Sequence, residues 1–334
     1  MALDTSAPVL VAGAGGFIGG ALAAELLNRG FADVRVVDVK PVKRWYQVHD
    51  AADNRVLDLS EKADAYEAAE GRQYIFNLAA DMGGMGFIEN NKAACMLSVL
   101  PTTFMLMAAR DQGAERLFYA SSACVYPGER QDSPEIVALR EAEAYPADPE
   151  DGYGWEKLFG ERMARHFSED YELKTRVARY HNVYGPYGTW DGGREKAPAA
   201  ICRKVADAVL SGTGRIEIWG DGEQTRSFMY IDDCVEGTLR LTGSDIDEPL
   251  NIGSSELVTI NQLVDIVEGF EGVTLERDYK LDAPQGVRGR NSDNALIQEK
   301  MGWEPSIPLR EGMRKTYDWI KQQMLETRGA GVSA

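Results

Sequence analysis

The chain has 334 residues, a formal net charge of −17 at pH 7 and 44% hydrophobic residues. A surface this acidic repels nucleic acid and anionic lipid, so we expect neither as a partner. The length allows one large core and a second, smaller lobe. Four scattered cysteines without a C-x-x-C motif argue against a disulfide framework or a zinc site and favour a cytoplasmic protein.

The sequence shows no sign of a membrane or secreted protein. It contains no run of about 18 apolar residues, so we predict no membrane span. Residues 1–6 lack the basic and apolar regions of a secretion signal. We also expect no bound metal, since His181 has no second ligand at a suitable spacing and is interpreted as a structural residue.

The first predicted strand, residues 8–12, runs into a glycine motif and then a helical pattern. Glycines without Cβ atoms let the backbone approach a pyrophosphate, and the N-terminus of the following helix favours the anion. The required strand and helix flank this motif, so it predicts a dinucleotide site. Its cofactor-contacting residues would be Gly13, Gly16, Phe17, Ile18 and Gly19.

Two acids follow at strand ends. Asp38 closes the second predicted strand, residues 34–37, about 20 residues past the glycines, where an acid binds the ribose hydroxyls. A carboxylate there repels a 2′-phosphate, so Asp38 favours NAD over NADP; a capping Asp at a strand end is the alternative. Residues 55–59 are predicted as the third strand, with Asp58 facing the adenine.

Strands and helices continue to alternate. Residues 74–78 form the fourth predicted strand, and the small side chains of Ala79 and Ala80 leave room for a cofactor. A glycine-rich loop, residues 81–86, precedes a helix predicted over residues 90–112. The fifth strand, residues 116–120, leads to Ser122. This order predicts an α/β fold, a Rossmann-type doubly wound parallel sheet with a smaller C-terminal α/β substrate lobe.

Two groups of residues after the fifth strand suggest proton transfer. Tyr153 and Lys157 are spaced i and i+4, so they share one face of a helix. Lys157 and a cationic nicotinamide should lower the pKa of the phenol, which could then take a proton from a substrate hydroxyl. Cys124, two residues after Ser122, could act as a base beside a cation. An ordinary helix start and a buried structural cysteine remain the alternatives.

Lys196 lies in a glycine-rich loop just before an alanine-rich helix. A cation is unfavourable at a helix N-terminus, so we expect a lowered pKa and a role in acid/base chemistry rather than a solvated lysine. Several cations of this half could converge on a pyrophosphate, or could be scattered surface residues. They are Arg194, Lys196, Arg203, Lys204, Arg226, Arg288 and Arg290.

The domain organisation follows from these elements. Residues 1–180 are predicted to form mainly the NAD-binding domain and residues 181–327 mainly the substrate lobe. Segments near 228–233 and 249–253 are predicted as strand ends that return to the main sheet. The last helix is expected over about 309–325, and residues 328–334 are expected to be a flexible tail.

Together these motifs resemble the extended short-chain dehydrogenase/reductase family of nucleotide-sugar enzymes. Longer matches at residues 79–88, 121–124, 192–200 and 286–294 are similar, within it, to the GDP-mannose 3,5-epimerases. The resemblance covers nearly the whole chain. It implies bound NAD, a GDP-sugar substrate, a homodimer, and inversion of GDP-mannose at C3 and C5 to GDP-L-galactose, with C5-only GDP-L-gulose as a further product.

The resemblance also implies residue roles. Ser122, Tyr153 and Lys157 match the redox triad, and Cys124 and Lys196 match the epimerisation acid/base pair. Tyr153, Lys157 and Ala79 also match cofactor-contacting positions. The substrate-contacting positions are Gly83, Ser122, Ala123, Cys124, Asn182, Glu195, Lys196, Lys204, Gln224, Arg226 and Arg290. A changed stretch at residues 207–214 leaves substrate closure open.

Three rival functions remain to be weighed. Sugar-nucleotide 4,6-dehydratases usually carry Asp-Glu where this chain has Ala123-Cys124. GDP-4-keto-6-deoxymannose epimerase/reductases carry a His where this chain has Tyr187, and they use NADPH, which Asp38 disfavours. A dinucleotide-sensing regulator without catalysis usually lacks the Tyr/Lys pair that this chain retains.

Overall fold

The computed structural model describes residues 3–135, 137–283 and 286–332, leaving aside the side chains of residues 85 and 329–332. Within these ranges the strands are β1 (Val9–Ala12), β2 (Val34–Asp38), β3 (Asp53–Val56), β4 (Tyr74–Asn77), β5 (Arg116–Ser122), β6 (Lys174–Tyr180), β7 (Val183–Tyr184), β8 (Arg215–Trp219), β9 (Thr225–Ser227), β10 (Met229–Tyr230), β11 (Leu250–Ile252), β12 (Leu257–Thr259), β13 (Glu276–Lys280) and β14 (Gly289–Arg290). The α-helices are α1 (Phe17–Asn28), α2 (Lys62–Ala69), α3 (Met85–Asn90), α4 (Lys92–Met96), α5 (Val99–Asp111), α6 (Tyr153–Tyr171), α7 (Ala197–Ser211), α8 (Ile231–Thr242), α9 (Ile260–Glu271), α10 (Ala295–Met301) and α11 (Leu309–Val332).

The main sheet has seven strands in the described ranges, in the order β11-β6-β5-β4-β1-β2-β3. Every neighbouring pair in it is parallel, and helices cover both faces. The predicted Rossmann-type doubly wound sheet is therefore confirmed. Because the strand order reverses between β1 and β4, a crevice opens at the carboxyl ends of these strands, where ligands bind in such sheets.

The third strand was predicted in the wrong place. It spans Asp53–Val56 instead of residues 55–59. β3 is the edge strand and pairs only with β2, and the last pair in that register is Asp38 with Val56. Once β2 has ended, the chain beyond Val56 has no partner strand, so the apolar residues Leu57 and Leu59 do not extend the strand.

The single helix expected over residues 90–112 is interrupted. Asn91, with φ −132° and ψ 41°, separates α3 from α4. Pro101 has no N–H to donate to the Leu97 carbonyl, and a new helix, α5, begins at Val99 with the proline in its first turn. By length and composition alone the stretch Lys92–Asp111 could cross a membrane, with 39% of its 18-residue window buried inside the protein. A core helix of a soluble protein passes the same test.

The last helix is longer than predicted and includes residues 328–332, which were expected to belong to a tail. Helix α11 continues to Val332 rather than ending near residue 325. It packs along α7, and Arg328 forms an ion pair with Asp207 on that helix at 2.7 Å. The last two residues of the predicted tail lie outside the described residues.

The two returning segments behave differently. β11 pairs with β6 and extends the main sheet, as predicted. β10 instead pairs with β7 outside the main sheet, so the strand expected there is not part of it. Helix α8, which begins at Ile231, does return and packs against α1. One hydrophobic core continues from β1 to α11, so both halves of the chain share it.

Helix α6 packs very closely on the main sheet. A Cβ atom built at Gly160 would lie 2.2 Å from the hydroxyl oxygen of Tyr119 on β5. One residue later, Glu161 receives a hydrogen bond from Ser121 and forms an ion pair with Arg179 on β6, at 2.7 Å. Both ion-pair side chains are 3% exposed. These contacts fix the position of α6, and with it Tyr153 and Lys157.

We predict that Glu161→Ala destabilises the fold strongly, because it leaves the Arg179 cation buried without its partner. The expected loss of unfolding free energy, measured by urea denaturation, is about 3–5 kcal/mol. Glu169→Ala on the same helix is the matched control, since Glu169 pairs with Arg165 at the exposed surface and should cost about 0.5 kcal/mol or less. Equal losses in the two variants would contradict the role given to the buried pair.

Candidate active site

A cavity of about 890 Å³ opens at the carboxyl edge of the sheet, at the crevice between β1 and β4. It extends from the glycine motif to the start of α6 and the N-terminus of α7. Many of the residues predicted from the sequence line it. They are Gly13, Gly16, Phe17, Ile18, Gly19, Asp38, Asp58, Ala79, Ala80, Gly83, Ser122, Tyr153, Lys157, Arg194 and Lys196.

The glycine turn has the geometry of a dinucleotide cradle. Gly13 has φ +86°, and a Cβ there would lie 3.0 Å from Ala79 N. A Cβ at Gly19 would lie 2.4 Å from the Gly13 carbonyl oxygen. Gly16 is the N-cap of α1, and the helix N-terminus is directed at the cavity. Side chains at these positions would fill or distort the turn, so the backbone fits a pyrophosphate.

Asp38 lies at the end of β2, as predicted, and lines the cavity. Its carboxylate accepts a hydrogen bond from Lys40 N at 2.9 Å, which fixes its orientation toward the cavity. This arrangement fits ribose hydroxyls. Asp58 also lines the cavity but lies in the loop after β3, where its carboxylate accepts hydrogen bonds from Ser60.

Ser122, Tyr153 and Lys157 come together at the centre of the cavity. Tyr153 begins α6, Ser122 ends β5, and the Lys157 ammonium lies 5.5 Å from the Tyr153 ring centroid. The predicted lowering of the phenol pKa is not found in the protein alone. Burial raises the pKa of Tyr153 well above its usual value, and Cys124 and Glu156 add to this, while a hydrogen bond with Ser122 opposes it.

Cys124 is brought beside Tyr153 by a close backbone approach. It lies in a short 3-10 helix, Ala123–Val125, capped by the Ser122 hydroxyl, which accepts a hydrogen bond from Cys124 N at 3.2 Å. A Cβ at Gly154 would lie 2.3 Å from the Cys124 carbonyl oxygen. Only glycine at position 154 therefore allows α6 to begin directly against the cysteine.

The Cys124 thiol has the cationic neighbour that the sequence analysis required. Arg290 Nη1 donates a hydrogen bond to Cys124 Sγ at 3.6 Å. Burial nevertheless raises the pKa of Cys124 to about 11, and the Glu150 carboxylate adds to the rise while Arg290 opposes it. In the protein alone the thiol thus keeps its proton at neutral pH.

Lys196 reaches the same region from the other half of the chain. It is the N-cap residue of α7 and lines the cavity. Its pKa is lowered, as predicted, but the main cause is burial, to which the Arg290 cation adds, while Cys124 opposes the shift. A thiol and an amine from different elements therefore act on each other's protonation.

The loop that carries Lys196 is joined to the glycine-rich loop after β4. Gly84 N donates a hydrogen bond to the Arg194 carbonyl oxygen at 3.0 Å. The Arg194 guanidinium forms an ion pair with Asp81 at 2.8 Å and lies 3.7 Å from the centroid of the Phe87 ring. We call this set of contacts the loop junction, and it holds the loop of Lys196 in place.

Other predicted substrate residues do not line the main cavity. Lys204 and Gln224 meet at Trp219: the Lys204 ammonium lies 5.6 Å from the indole ring, and Gln224 Nε2 donates to the Trp219 carbonyl oxygen at 2.9 Å. Asn182 donates to Ser227 O at 3.1 Å. The remaining basic residues of the lobe are engaged with acids. Arg203 pairs with Glu195, and Arg288 pairs with Asp221.

Arg226 and Arg290 are the cations that converge with Lys196 on Cys124. Burial is the main cause that lowers the pKa of Arg226 to about 9, and the positive charge of Arg290 is the second. Ala123, in the same 3-10 helix as Cys124, is buried. Lys196, Arg226 and Arg290 thus lie near one another at Cys124, and the charge of Arg288 also acts on Arg226. The convergence of the basic residues on a pyrophosphate stays a prediction.

His181 is a structural residue, as expected. It is fully buried, and its Nε2 donates to Asn251 Oδ1 at 3.0 Å. Burial lowers its pKa to about 3, so it stays neutral. Among the described residues no group of three or more His, Cys, Asp or Glu could hold a metal ion.

Comparison with known proteins identifies the family of the chain. Residues 9–253 match the model of the NAD dependent epimerase/dehydratase family. The chain belongs to this family. GDP-mannose 3,5-epimerase of Arabidopsis thaliana is 47% identical over 324 residues, which are 97% of this chain and 84% of that protein.

Two solved structures share the fold of this epimerase. UDP-glucose 4-epimerase of Thermotoga maritima, solved with UDP-glucose, matches with a TM-score of 0.84 and 25% identity, covering 95% of this chain and 99% of that one. MoeE5, solved with UDP-glucose and NAD, matches with a TM-score of 0.79 and 28% identity, with the same coverage. NAD is the cofactor of the family, and the cradle and Asp38 fit it.

Sequence reasoning missed three side chains of this epimerase's site region. The Trp219 ring contacts the Lys204 ammonium, and its carbonyl oxygen accepts a hydrogen bond from Gln224. The carboxylate of Glu150 lies against Arg290 and Cys124. Arg194 was treated as a phosphate contact and instead forms the loop junction.

We predict that Gly84→Ala lowers epimerase turnover by about 10²-fold, because displacing an acid/base group by about 1 Å can cost that much. A Cβ at Gly84 would lie 2.6 Å from the Glu195 carbonyl oxygen, forcing the loop of Lys196 away. Gly86→Ala is the matched control, since a Cβ there meets nothing within 4 Å. Steady-state turnover and NAD affinity should be measured together. A normal rate in Gly84→Ala, or an equal loss in Gly86→Ala, would contradict the positioning role of the loop junction.

Proposed function

We propose that the chain inverts C3 and C5 of GDP-mannose to give GDP-L-galactose, with C5-only GDP-L-gulose as a second product. The observation that carries this proposal is the approach of Cys124 and Lys196 to each other beside the Ser122, Tyr153 and Lys157 group. The name and the 47% identity of the Arabidopsis relative support the same substrate.

The C4 step belongs to the residues at the start of α6. Tyr153 reacts as the phenolate, which the charges of Lys157 and of the bound nicotinamide favour, and takes the proton of the C4 hydroxyl. Ser122, within hydrogen-bonding reach of the phenol, orients that hydroxyl. Lys157 holds a positive charge 5.5 Å from the Tyr153 ring, and its aliphatic chain is fixed by burial. When bound, NAD supplies the acceptor and donor for the C4 hydride.

Cys124 and Lys196 carry out the inversion. A carbonyl group at C4 acidifies the hydrogens on C3 and C5, which flank it. One group removes such a proton from one face of the sugar, and the other group supplies a proton to the opposite face. Lys196 lines the cavity, whereas Cys124 does not line it but packs against Tyr153, which does, so the two side chains can approach a bound sugar from different elements.

We predict that Cys124→Ala and Lys196→Ala lose proton exchange but keep C4 oxidation. The test incubates each purified variant with GDP-mannose in D2O and follows deuterium at C3 and C5 together with the absorbance of cofactor reduction. A positioned acid or base contributes about 10²–10⁴-fold, so exchange should fall by that factor.

Tyr153→Phe is the control for the C4 step. It should bind NAD but lose both cofactor reduction and deuterium exchange at C3 and C5. Wild-type exchange in Cys124→Ala would make the cysteine a packing residue only. Loss of cofactor reduction in both Cys124→Ala and Lys196→Ala would make the pair necessary for sugar binding instead. No turnover of any GDP-sugar by the wild-type protein would contradict the proposed function.

We also propose that the protein is a homodimer joined through α4, α5 and α6. α4 and α5 pack against α6, and the group carries exposed apolar side chains. They are Met96, Leu97, Leu100, Trp155 and Phe159. A cluster of exposed apolar residues on neighbouring helices is typical of a subunit interface.

We predict that Leu97→Glu combined with Phe159→Glu yields a monomer in sedimentation velocity, because two charges would be buried without partners in the interface. Val137→Glu is the matched control, since Val137 is a highly exposed apolar residue outside these helices. A monomeric wild-type protein, or an unchanged dimer in the double variant, would contradict this interface.

A further inference from the structure

One carboxylate lies among the cations around Cys124. Glu150 belongs to the loop that precedes α6, and its side chain is 12% exposed. Its backbone N–H donates to the Cys124 carbonyl oxygen at 3.0 Å. The backbone therefore holds Glu150 and Cys124 side by side, independently of what their side chains do.

The Glu150 side chain completes the coordination of Arg290. The guanidinium donates from Nε to Gln131 Oε1 at 2.6 Å, from Nη1 to Cys124 Sγ at 3.6 Å, and from Nη2 to Glu150 Oε1. Gln131 is itself fixed, because its Nε2 donates to two backbone carbonyl oxygens. All three donor groups of the guanidinium are thus engaged. While Glu150 remains in place, the guanidinium cannot rotate Nη1 away from the sulfur.

The second oxygen of Glu150 is unusual. Glu150 Oε2 is buried and makes no well-formed hydrogen bond with the described part of the chain. The carboxylate lies within hydrogen-bonding reach of the Cys124 thiol. A buried carboxylate oxygen is costly unless it accepts a hydrogen bond, and a protonated Cys124 thiol beside it can donate one.

The charge of Glu150 acts on the sulfur against that of Arg290. Burial tends to raise the pKa of Glu150, but Arg290 and the contact with Cys124 outweigh it, so the carboxyl pKa lies below its usual value and the group is ionised. Its negative charge then disfavours a thiolate. The titratable and charged groups that face the thiol are Glu150, Arg290, Ser122, Tyr153, Lys196 and Arg226.

We propose that Glu150 is a positioning residue for Cys124, which anchors Arg290 against the sulfur and holds the thiol in its protonated form in the free protein. A protonated thiol is a weak nucleophile and is oxidised slowly, so Glu150 limits side reactions of the cysteine between turnovers. The catalytic meaning of this inference rests on the proposed function, but the contact itself does not.

The test measures the protonation of the thiol without any sugar. The ultraviolet thiolate absorbance of the NAD-loaded protein is titrated against pH, with Cys124→Ala as the blank. Glu150→Gln keeps an oxygen for Arg290 and removes the charge, so the thiol midpoint should move to lower pH by about one unit or more. Alkylation of Cys124 by iodoacetamide, located by mass spectrometry, should become about tenfold faster at any pH at which most of the thiol is still protonated.

Three further variants complete the design. Glu150→Ala removes the charge but also the anchor of Arg290, whose charge lowers the thiol pKa. Its midpoint should therefore lie below that of the wild-type protein but fall less than in the glutamine variant, which keeps the test available if the glutamine variant does not fold. Glu150→Asp retains the charge and should stay closer to the wild-type midpoint than the glutamine variant does. Glu141→Gln is the matched control, because Glu141 accepts a hydrogen bond from Asn251 N instead of contacting the thiol, and it should leave the midpoint unchanged.

An unchanged midpoint in a folded Glu150→Gln or Glu150→Ala variant would overturn the proposal, and so would an equal shift in Glu141→Gln. The result of this titration does not depend on whether the proposed function is correct. A protein that turned over no GDP-sugar would still give this titration, and a working epimerase with identical thiol midpoints would overturn only the role of Glu150.

Discussion

The direct contact of α6 with the end of β5 is the constraint on which the site depends. Gly154 and Gly160 remove the side chains that would separate the helix from Cys124 and Tyr119. The buried pair of Glu161 and Arg179 then fixes the helix along its axis. Since Tyr153 begins α6 and Ser122 ends β5, the same contact that packs the core also sets the distance between the groups proposed for C4 chemistry.

A second constraint is the placement of charge in an acidic chain. With 53 acidic and 36 basic residues, most cations of the substrate lobe are engaged by acids, as Arg194, Arg203 and Arg288 are. Lys196, Arg226 and Arg290 lie around one sulfur, where Arg290 pairs with Glu150. Burial makes these charges act strongly on one another, because little water screens them. The protonation of Cys124 is therefore set by a few neighbours and not by the net charge.

The sequence predicted what depends on local pattern. The glycine turn, Asp38 at the end of β2, and Lys196 as the N-cap of α7 were located correctly, because strand periodicity, glycine spacing and helix starts are local signals. The third strand was misplaced because its end depends on where β2 stops. The opposing effect of burial on the Tyr153 pKa was missed because burial is a tertiary property. Glu150 was missed because nothing local shows that residue 290 lies beside it.

Burial acts in opposite directions on the two groups proposed for inversion. It raises the pKa of the Cys124 thiol and lowers that of the Lys196 amine, so it favours the uncharged form of both. The proposed inversion needs a base and an acid, and with Cys124 as the base and Lys196 as the acid these are a thiolate and an ammonium. This pair differs from the uncharged pair only by one proton moved from sulfur to nitrogen. That transfer creates two opposite charges close together, which attract each other, and Arg290 further stabilises the thiolate while Glu150 opposes it. The ease of the transfer therefore depends on the balance between the guanidinium and the carboxylate, which makes the neighbours of the cysteine as important to inversion as the cysteine itself.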